Sequence, residues 1–211
     1  MTRADCPANL LSMARSPSFC GVILAAGTSS RMGRDKALLP WLGTTFLESA
    51  MQVLADTELI IVVAGANAER LSPVVDAAGA SLVLNPHPER GQFSSLRIGL
   101  QEVLNRGRDA AMVTLVDRPA PERETVRTLK EAFLDSLPDT WAVVPEFEGR
   151  HGHPFLVGRE MMEAFLRAPA DSTARDVEHA NQQRIRYLEV GDPLVVCNVD
   201  TPEDYERILN G

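Results

Sequence analysis

The amino-acid sequence predicts an α/β fold with a mainly parallel, mixed sheet flanked by helices. Short apolar runs alternate with segments of helical periodicity along most of the chain, which is the pattern of β-α-β units. Several of these runs are apolar at every position, as strands buried on both faces are. The length of 211 residues suits one domain with a sizeable core.

Each predicted element of the first two thirds of the chain has its own local signal. The helix after the first strand places Phe46, Leu47, Met51 and Leu54 at helical spacing. Gly79 ends the next helix, and Pro121 suits the start of a later one. The predicted order is strand 21–26, helix 45–55, strand 58–65, helix 67–79, strand 81–85, helix 93–107, strand 110–117, helix 121–137 and strand 140–147.

The last third is less regular, and its elements are shorter. Thr201 caps a closing helix that has Pro202 in its first turn. We assign residues 20–211 to one domain and residues 1–19 to a disordered N-terminal leader. The predicted order here is a loop entering a strand at 149–158, helices 159–168 and 173–181, strands 184–190 and 194–199, and helix 201–209.

Composition excludes several function classes. A formal net charge of -8 argues against a non-specific binder of nucleic acid or anionic membranes. No apolar stretch approaches the roughly 20 residues that cross a bilayer. Cys6, Cys20 and Cys197 lack C-x-x-C spacing, so neither a disulfide framework nor a zinc site is indicated. We therefore expect a cytoplasmic protein with reduced thiols and no nucleic-acid or membrane partner.

The loop after the first strand carries the strongest chemical signal. In a parallel sheet, ligands bind outside the carboxyl ends of the strands. Gly27 at such an end lets a ligand approach the backbone closely, and Arg31, Arg34 and Lys36 add positive charge. Neither G-x-x-x-x-G-K-[ST] nor G-x-G-x-x-G is present. From these residues alone, a polyphosphate site and a solvated basic loop both remain open.

Five ordered motifs resolve this choice by resemblance. The segment LAAGTSSRMGRDKALLP resembles the signature of nucleotidyltransferases that activate sugar phosphates and cofactors. NPHPERGQFSSLRIGL, VTLVDRP, GRHGHPFLV and VCNVDTPEDY resemble the later segments of the MobA-like group, in its molybdenum cofactor cytidylyltransferase branch. The motifs run from about residue 21 to 208. The resemblance implies a single Rossmann-like nucleotidyltransferase domain with its active site along the strand ends.

The resemblance also assigns the nucleotide site. It places Arg31 on the β and γ phosphates and Lys36 on the α phosphate, and it makes these two residues catalytic together with Asp117. Arg31 suits phosphate because its planar group donates two hydrogen bonds. Ser95 has an alternative role as a simple helix cap. The other implied nucleotide-binding residues are Leu24, Ala25, Ala26 and Gly27 in the first segment, and Asn85, Gly91 and Ser94 beside Ser95 in the second.

Two carboxylates at strand ends predict a metal site. Asp117 ends an apolar strand, where a carboxylate has no packing use, and Asp200 lies just before Thr201. Hard oxygen ligands suit Mg²⁺, which we expect as the cofactor, bridging the α phosphate and the incoming phosphate. For Asp200, the alternative is a helix-terminal residue favoured by the helix dipole.

For the acceptor site, the resemblance implies Gly152, His153, Pro154 and Arg175. A histidine in a loop is also compatible with a simple surface residue. The sequence departs from the family pattern at two places. Arg118 stands where Met or Gln is usual, so we expect an extra positive charge close to the metal and the substrate phosphate. The segment around Arg175, which is expected to contact the acceptor, lacks the second glycine of a G-D-x-G-A-R pattern.

The resulting hypothesis is a transferase that moves CMP from CTP to the phosphate of a molybdopterin-type cofactor and releases pyrophosphate. CTP and the cofactor are the expected substrates, and a recipient molybdoenzyme is the expected protein partner. The alternatives are a guanylyltransferase or a sugar- or alcohol-phosphate cytidylyltransferase of the same fold. A non-catalytic nucleotide sensor or cofactor chaperone is the alternative from another class.

Overall fold

A computed structural model describes residues 17–29, 32–136 and 138–210. Most of the predicted leader, residues 1–16, and the predicted phosphate ligand Arg31 lie outside the described residues. The first strand begins at Phe19, and the Ser18 hydroxyl donates to Asp109 at 2.9 Å. The described domain is thus anchored slightly before the predicted boundary at residue 20.

An eight-stranded mixed sheet forms the centre of the domain, and it confirms the predicted fold class. The strands are β1 (Phe19–Ala25), β4 (Leu59–Ala64), β5 (Ser81–Leu84), β6 (Ala110–Leu115), β7 (Ala142–Phe147), β8 (Arg150–His151), β9 (Phe155–Gly158) and β10 (Ile185–Glu189), and a separate hairpin pairs β2 (Pro40–Trp41) with β3 (Thr44–Thr45). The spatial order of the sheet is β10-β7-β9-β6-β1-β4-β5, with β8 paired to the end of β7. β9 runs antiparallel to β6 and β7, whereas β1, β4, β5 and β6 are mutually parallel.

Helices cover both faces of this sheet. The helices are α1 (Phe46–Val53), α2 (Ala68–Ala77), α3 (Gln92–Asn105), α4 (Arg123–Asp135), α5 (Arg159–Arg167), α6 (Ala174–Ala180) and α7 (Pro202–Asn210). One core cluster joins the sheet to α1, α2 and α4, and another joins it to α3, α5 and α6. Strands such as β1 and β6 are buried at every position because both faces are covered. Within the described ranges, no helix is long and apolar enough to cross a membrane.

One predicted element is wrong. Residues 194–199 do not form a strand: Pro193–Val196 is a 3₁₀ helix, followed by extended chain that joins no sheet. The Asp192 side chain accepts from the backbone N–H of Leu194 at 2.9 Å, and Pro193 fixes the first turn. These two residues favour a turn over the β propensity of Leu194, Val195 and Val196.

The strand order determines where the site lies. β1 has β4 on one side and β6 on the other, so the connections from β1 and its neighbours diverge at this point. The carboxyl ends of these parallel strands share one edge of the sheet. Because β9 is antiparallel, its amino end, preceded by residues 152–154, lies at the same edge. Segments distant in sequence therefore meet beside β1 and β6.

Candidate nucleotidyl-transfer site

A cavity of about 490 Å³ opens at the carboxyl ends of β1 and β6. The first loop, the turn before α3, the end of β6 and the residue before Thr201 all contribute to it. Its lining contains eight of the predicted site residues: Leu24, Ala26, Gly27, Lys36, Gly91, Ser95, Asp117 and Asp200. Four predicted segments thus meet in one space. Three of them follow strands, as the strand-end argument expects, whereas Asp200 follows extended chain that joins no sheet.

Lys36 lies between the two predicted metal ligands. Its Nζ is 2.9 Å from Oδ1 of Asp200 and 3.4 Å from Oδ2 of Asp117. The backbone brings the carboxylates together, because the N–H of Val199 donates to the carbonyl of Asp117 at 3.0 Å. Oδ1 of Asp117 is buried and has no hydrogen-bond partner among the described residues. The arrangement presents an ammonium and two carboxylates to one cavity.

The loop that carries Lys36 is fixed by residues that sequence reasoning missed. Asp35 caps the 3₁₀ helix Lys36–Leu38, accepts from Asn67 Nδ2 at 3.0 Å and pairs with Arg70 at 3.2 Å. Asn67 is buried; it also donates to the carbonyl of Ala25 and accepts from the N–H of Gly65, both at 3.0 Å. One side chain therefore ties the ends of β1 and β4 to the lysine loop. Its position just after a predicted strand was the available signal.

The wall beside α3 differs from the prediction in detail. Asn85 Nδ2 donates to the hydroxyls of Ser94 and Ser95, both at 2.9 Å. Asn85 and Ser94 thus brace the wall from behind and do not line the cavity, whereas Ser95 does. The helix N-cap is Gly91, with φ of 87°, so the alternative that Ser95 caps α3 is wrong. Glu89 and Gln92 line the same wall and were not predicted.

The predicted residues at the end of β1 also fall into two groups, those that line the cavity and one that supports it. Leu24, Ala26 and Gly27 line the cavity. Ala25 is buried in β1 and contributes through its carbonyl, which holds Asn67. A Cβ on Gly27 would meet no atom within 4 Å, so the space next to its backbone is open. A ligand can therefore approach this backbone directly.

None of the predicted acceptor residues lines this cavity. The His153 N–H donates to the carbonyl of Val195 at 2.8 Å, and a Cβ on Gly152 would lie 2.4 Å from that same oxygen. Burial, aided by the positive charge of Arg118, lowers the pKa of His153 to about 3. Its Nδ1 is buried without a partner among the described residues. Pro154 is buried, and Arg175 is exposed on α6, away from the cavity lining.

Residues 21–185 match the MobA-like NTP transferase domain family. The chain is 25% identical to the molybdenum cofactor cytidylyltransferase of Escherichia coli K12, over 87% of this chain and 92% of that protein. It is 31% identical to a probable molybdenum cofactor guanylyltransferase of Rhodopirellula baltica, over 90% and 92%. It is also 28% identical to nicotine blue oxidoreductase of Paenarthrobacter nicotinovorans, over 92% and 97%.

Solved structures show the same architecture. Rv0371c from Mycobacterium tuberculosis H37Rv superposes with a TM-score of 0.76 at 28% identity, covering 92% of this chain and 99% of that chain. A complex of Rv0371c with manganese superposes with a TM-score of 0.74 at the same identity and coverage.

Proposed function

The chain belongs to the MobA-like NTP transferase family, and from this premise we propose that it transfers CMP from CTP to the phosphate of a molybdopterin-type cofactor. The single observation that carries the proposal is the position of Lys36 between Asp117 and Asp200 in the strand-end cavity. This group of charges suits a polyphosphate that arrives with a divalent cation.

The proposed step is a displacement at phosphorus. An oxygen of the acceptor phosphate bonds to the α-phosphorus of CTP, and the bond from that phosphorus to the oxygen that bridges the α and β phosphates breaks. Pyrophosphate leaves with the electron pair of the broken bond. Because no proton needs to be removed from an ionised phosphate, the protein contributes chiefly by placing the reactants and stabilising the developing charge.

Lys36 supplies a positive charge for this step. In the structure its ammonium contacts two carboxylates, and its side chain is buried at the cavity wall. The oxygens of a bound triphosphate carry more negative charge than those of a carboxylate. The ammonium of Lys36 can therefore exchange a carboxylate for the α phosphate with a small movement. Asp35 and Asn67 keep the backbone of this loop in place during that exchange.

The carboxylates also fit a divalent cation such as Mg²⁺. Asp117 and Asp200 both contact one nitrogen, and Oδ1 of Asp117 is buried without a hydrogen-bond partner among the described residues. One or two carboxylates plus phosphate oxygens and waters is the coordination that Mg²⁺ favours. When bound, such a cation neutralises charge on the phosphates. The manganese complex of the related Rv0371c supports this assignment.

CTP is proposed over GTP from the sequence motifs. Gly152, His153 and Pro154, and Asp200 before the TPED segment, resemble the cytidylyl branch. The relatives include cytidylyl and guanylyl enzymes at similar identity, so nucleotide choice is the feature that most needs a direct test.

The test is a pyrophosphate-release assay on purified protein with Mg²⁺ and molybdenum cofactor, comparing CTP, GTP, UTP and ATP. We expect release with CTP. Asp117→Ala, which removes a side chain that contacts Lys36, should lose turnover while keeping its thermal unfolding temperature. Asp139→Ala is the matched control, because the Asp139 side chain is 92% exposed and remote from the cavity.

Each result has a defined meaning. Release with GTP in place of CTP keeps the mechanism and overturns the nucleotide assignment. Full activity of Asp117→Ala contradicts the role of that carboxylate. If no nucleotide gives pyrophosphate release but nucleotide binding is retained, the result favours the non-catalytic sensor or cofactor chaperone.

A further inference from the structure

Arg118 has an unusual environment next to the proposed site. It follows Asp117 directly at the end of β6, and its guanidinium is partly buried. Its Nη1 lies 3.4 Å from the carbonyl of Val195 and 3.5 Å from that of Cys197, which are long contacts. Its Nε is buried and has no partner among the described residues. Among the described residues, only these two long contacts offset the partial loss of solvation of the guanidinium.

The guanidinium of Arg118 has carboxylates near it but none in direct contact among the described residues. In the described ranges, no Asp or Glu forms an ion pair with this guanidinium. Burial lowers the pKa of Arg118, and the nearby positive charge of Arg150 acts in the same direction against the carboxylates of Asp117 and Asp200. Arg150 itself donates to the next carbonyl of the same segment, Val196, at 3.1 Å. Two guanidiniums thus converge on one short stretch of chain.

A second buried group points to the same place. The carbonyl of Val195 that Arg118 approaches also accepts the N–H of His153. The His153 Nδ1 is enclosed and unpartnered among the described residues. A neutral imidazole and a guanidinium with an unused N–H therefore lie together at the amino end of β9, adjacent to the end of β6.

The negative charges of the acceptor phosphate and of the two carboxylates give a reason for a guanidinium at this position. On the transfer side of the cavity, Asp117 and Asp200 repel a phosphate that carries two negative charges. An acceptor phosphate needs a cation on its own side if it is to approach these carboxylates. Arg118 follows Asp117 directly, and its guanidinium approaches the carbonyl of Val195, which also accepts the N–H of His153 just before β9. Its planar group suits two phosphate oxygens.

We propose that Arg118 binds the phosphate of the acceptor, with His153 beside it, and thereby positions that phosphate for transfer. The inference rests on the proposed function and identifies the residue that recognises the acceptor's phosphate. It also predicts that the acceptor is a phosphate monoester whose other parts lie towards β9.

The test compares molybdopterin with its dephosphorylated form, using pterin fluorescence to measure binding by wild type, Arg118→Gln and Arg118→Lys. For Arg118→Gln we expect binding of the phosphorylated form to weaken about tenfold or more, because charge-assisted hydrogen bonds are lost. Binding of the dephosphorylated form should stay unchanged. Arg118→Lys should recover part of the preference. In turnover assays the KM for the acceptor should rise while the KM for the nucleotide stays within about twofold.

Arg150→Gln is the matched control, since it removes a guanidinium contact to the same segment. A purely structural role for Arg118 predicts equal weakening for both pterin forms, or equal effects of Arg118→Gln and Arg150→Gln, and either result overturns the proposal. So does a wild type that does not prefer the phosphorylated form. If no nucleotide supports turnover, the proposed function fails, and the binding comparison still decides the role of Arg118.

Discussion

The Nζ of Lys36 lies 2.9 Å from Oδ1 of Asp200, although 164 residues separate them in the sequence. One comes from the loop after the first strand, and the other lies just before the last helix. The contact joins two distant parts of the described domain at the strand-end cavity. Because the ammonium also contacts Asp117, removal of this one charge leaves two carboxylates facing each other.

The first prediction therefore concerns Lys36→Met. We expect the turnover number to fall about 100-fold or more, because a charge aimed at the reacting phosphate is lost. The two carboxylates should then repel each other, so added Mn²⁺ should raise the thermal unfolding temperature more in the variant than in the wild type. Differential scanning fluorimetry with and without Mn²⁺ measures this effect.

Lys130→Met is the control for that experiment, since Lys130 lies on α4 and contacts the carbonyl of Asp56 and the ring of Phe19. Its response to Mn²⁺ should match the wild type. If Mn²⁺ raises the unfolding temperature equally in Lys36→Met and wild type, the ammonium of Lys36 and the divalent cation do not share the same two carboxylates.

The second prediction concerns Asn67→Ala. The amide of Asn67 makes three hydrogen bonds, to Ala25, Gly65 and Asp35, and it is buried. Its loss should lower the free energy of unfolding by about 1–3 kcal/mol, since buried partners are left unsatisfied. The lysine loop should also loosen, raising the KM for the nucleotide. Urea denaturation and initial rates test both parts, and a change in stability with no change in KM would limit Asn67 to a folding role.

The third prediction contrasts two glycines. A Cβ on Gly152 would lie 2.4 Å from the carbonyl oxygen of Val195, whereas a Cβ on Gly27 would meet nothing within 4 Å. Gly152→Ala should therefore lower the unfolding temperature, because backbone must shift to accept it. Gly27→Ala should keep its unfolding temperature and weaken nucleotide binding, because the methyl group projects where the ligand approaches. Unchanged nucleotide binding by Gly27→Ala would show that the nucleotide does not contact the first loop.

The fourth prediction is a pH dependence of stability. Burial lowers the pKa of His153 to about 3, below its ordinary value of 6.5. As the pH falls below 6.5, the unfolded chain binds a proton at this residue that the folded chain does not, so folding stability falls until about pH 3. In His153→Gln this contribution is absent.

Unfolding temperatures measured from pH 7 to 4 should therefore fall less in His153→Gln than in wild type. The matched control is His179→Gln, because His179 is exposed on α6. Parallel profiles for His153→Gln and wild type would mean that His153 takes up a proton in the folded protein as readily as in the unfolded chain. Its description as a neutral group over this pH range would then be wrong.

The sequence by itself was sufficient for the sheet and for most of the cavity. Strands such as β1 and β6 are recognisable because burial on both faces requires a continuous apolar run, which local composition records. The carboxyl ends of parallel strands must share an edge, so Lys36 and Asp117, which follow β1 and β6, could be predicted as neighbours without coordinates. Asp200 lies beside them although the strand predicted before it is absent. By contrast, residues 194–199 carried β propensity but form a turn, since the Asp192 cap and Pro193 outweigh it.

The tertiary structure alone decided which side chains face the ligand and which support them. Asn85 and Ser94 brace a wall, Asn67 ties three segments together, and Arg118 lies enclosed beside His153. None of these roles follows from residue type or spacing, because a hydrogen bond between distant segments depends on how the helices and loops pack over the sheet. Sequence patterns record periodicity and local turns, whereas long-range partners are set by packing.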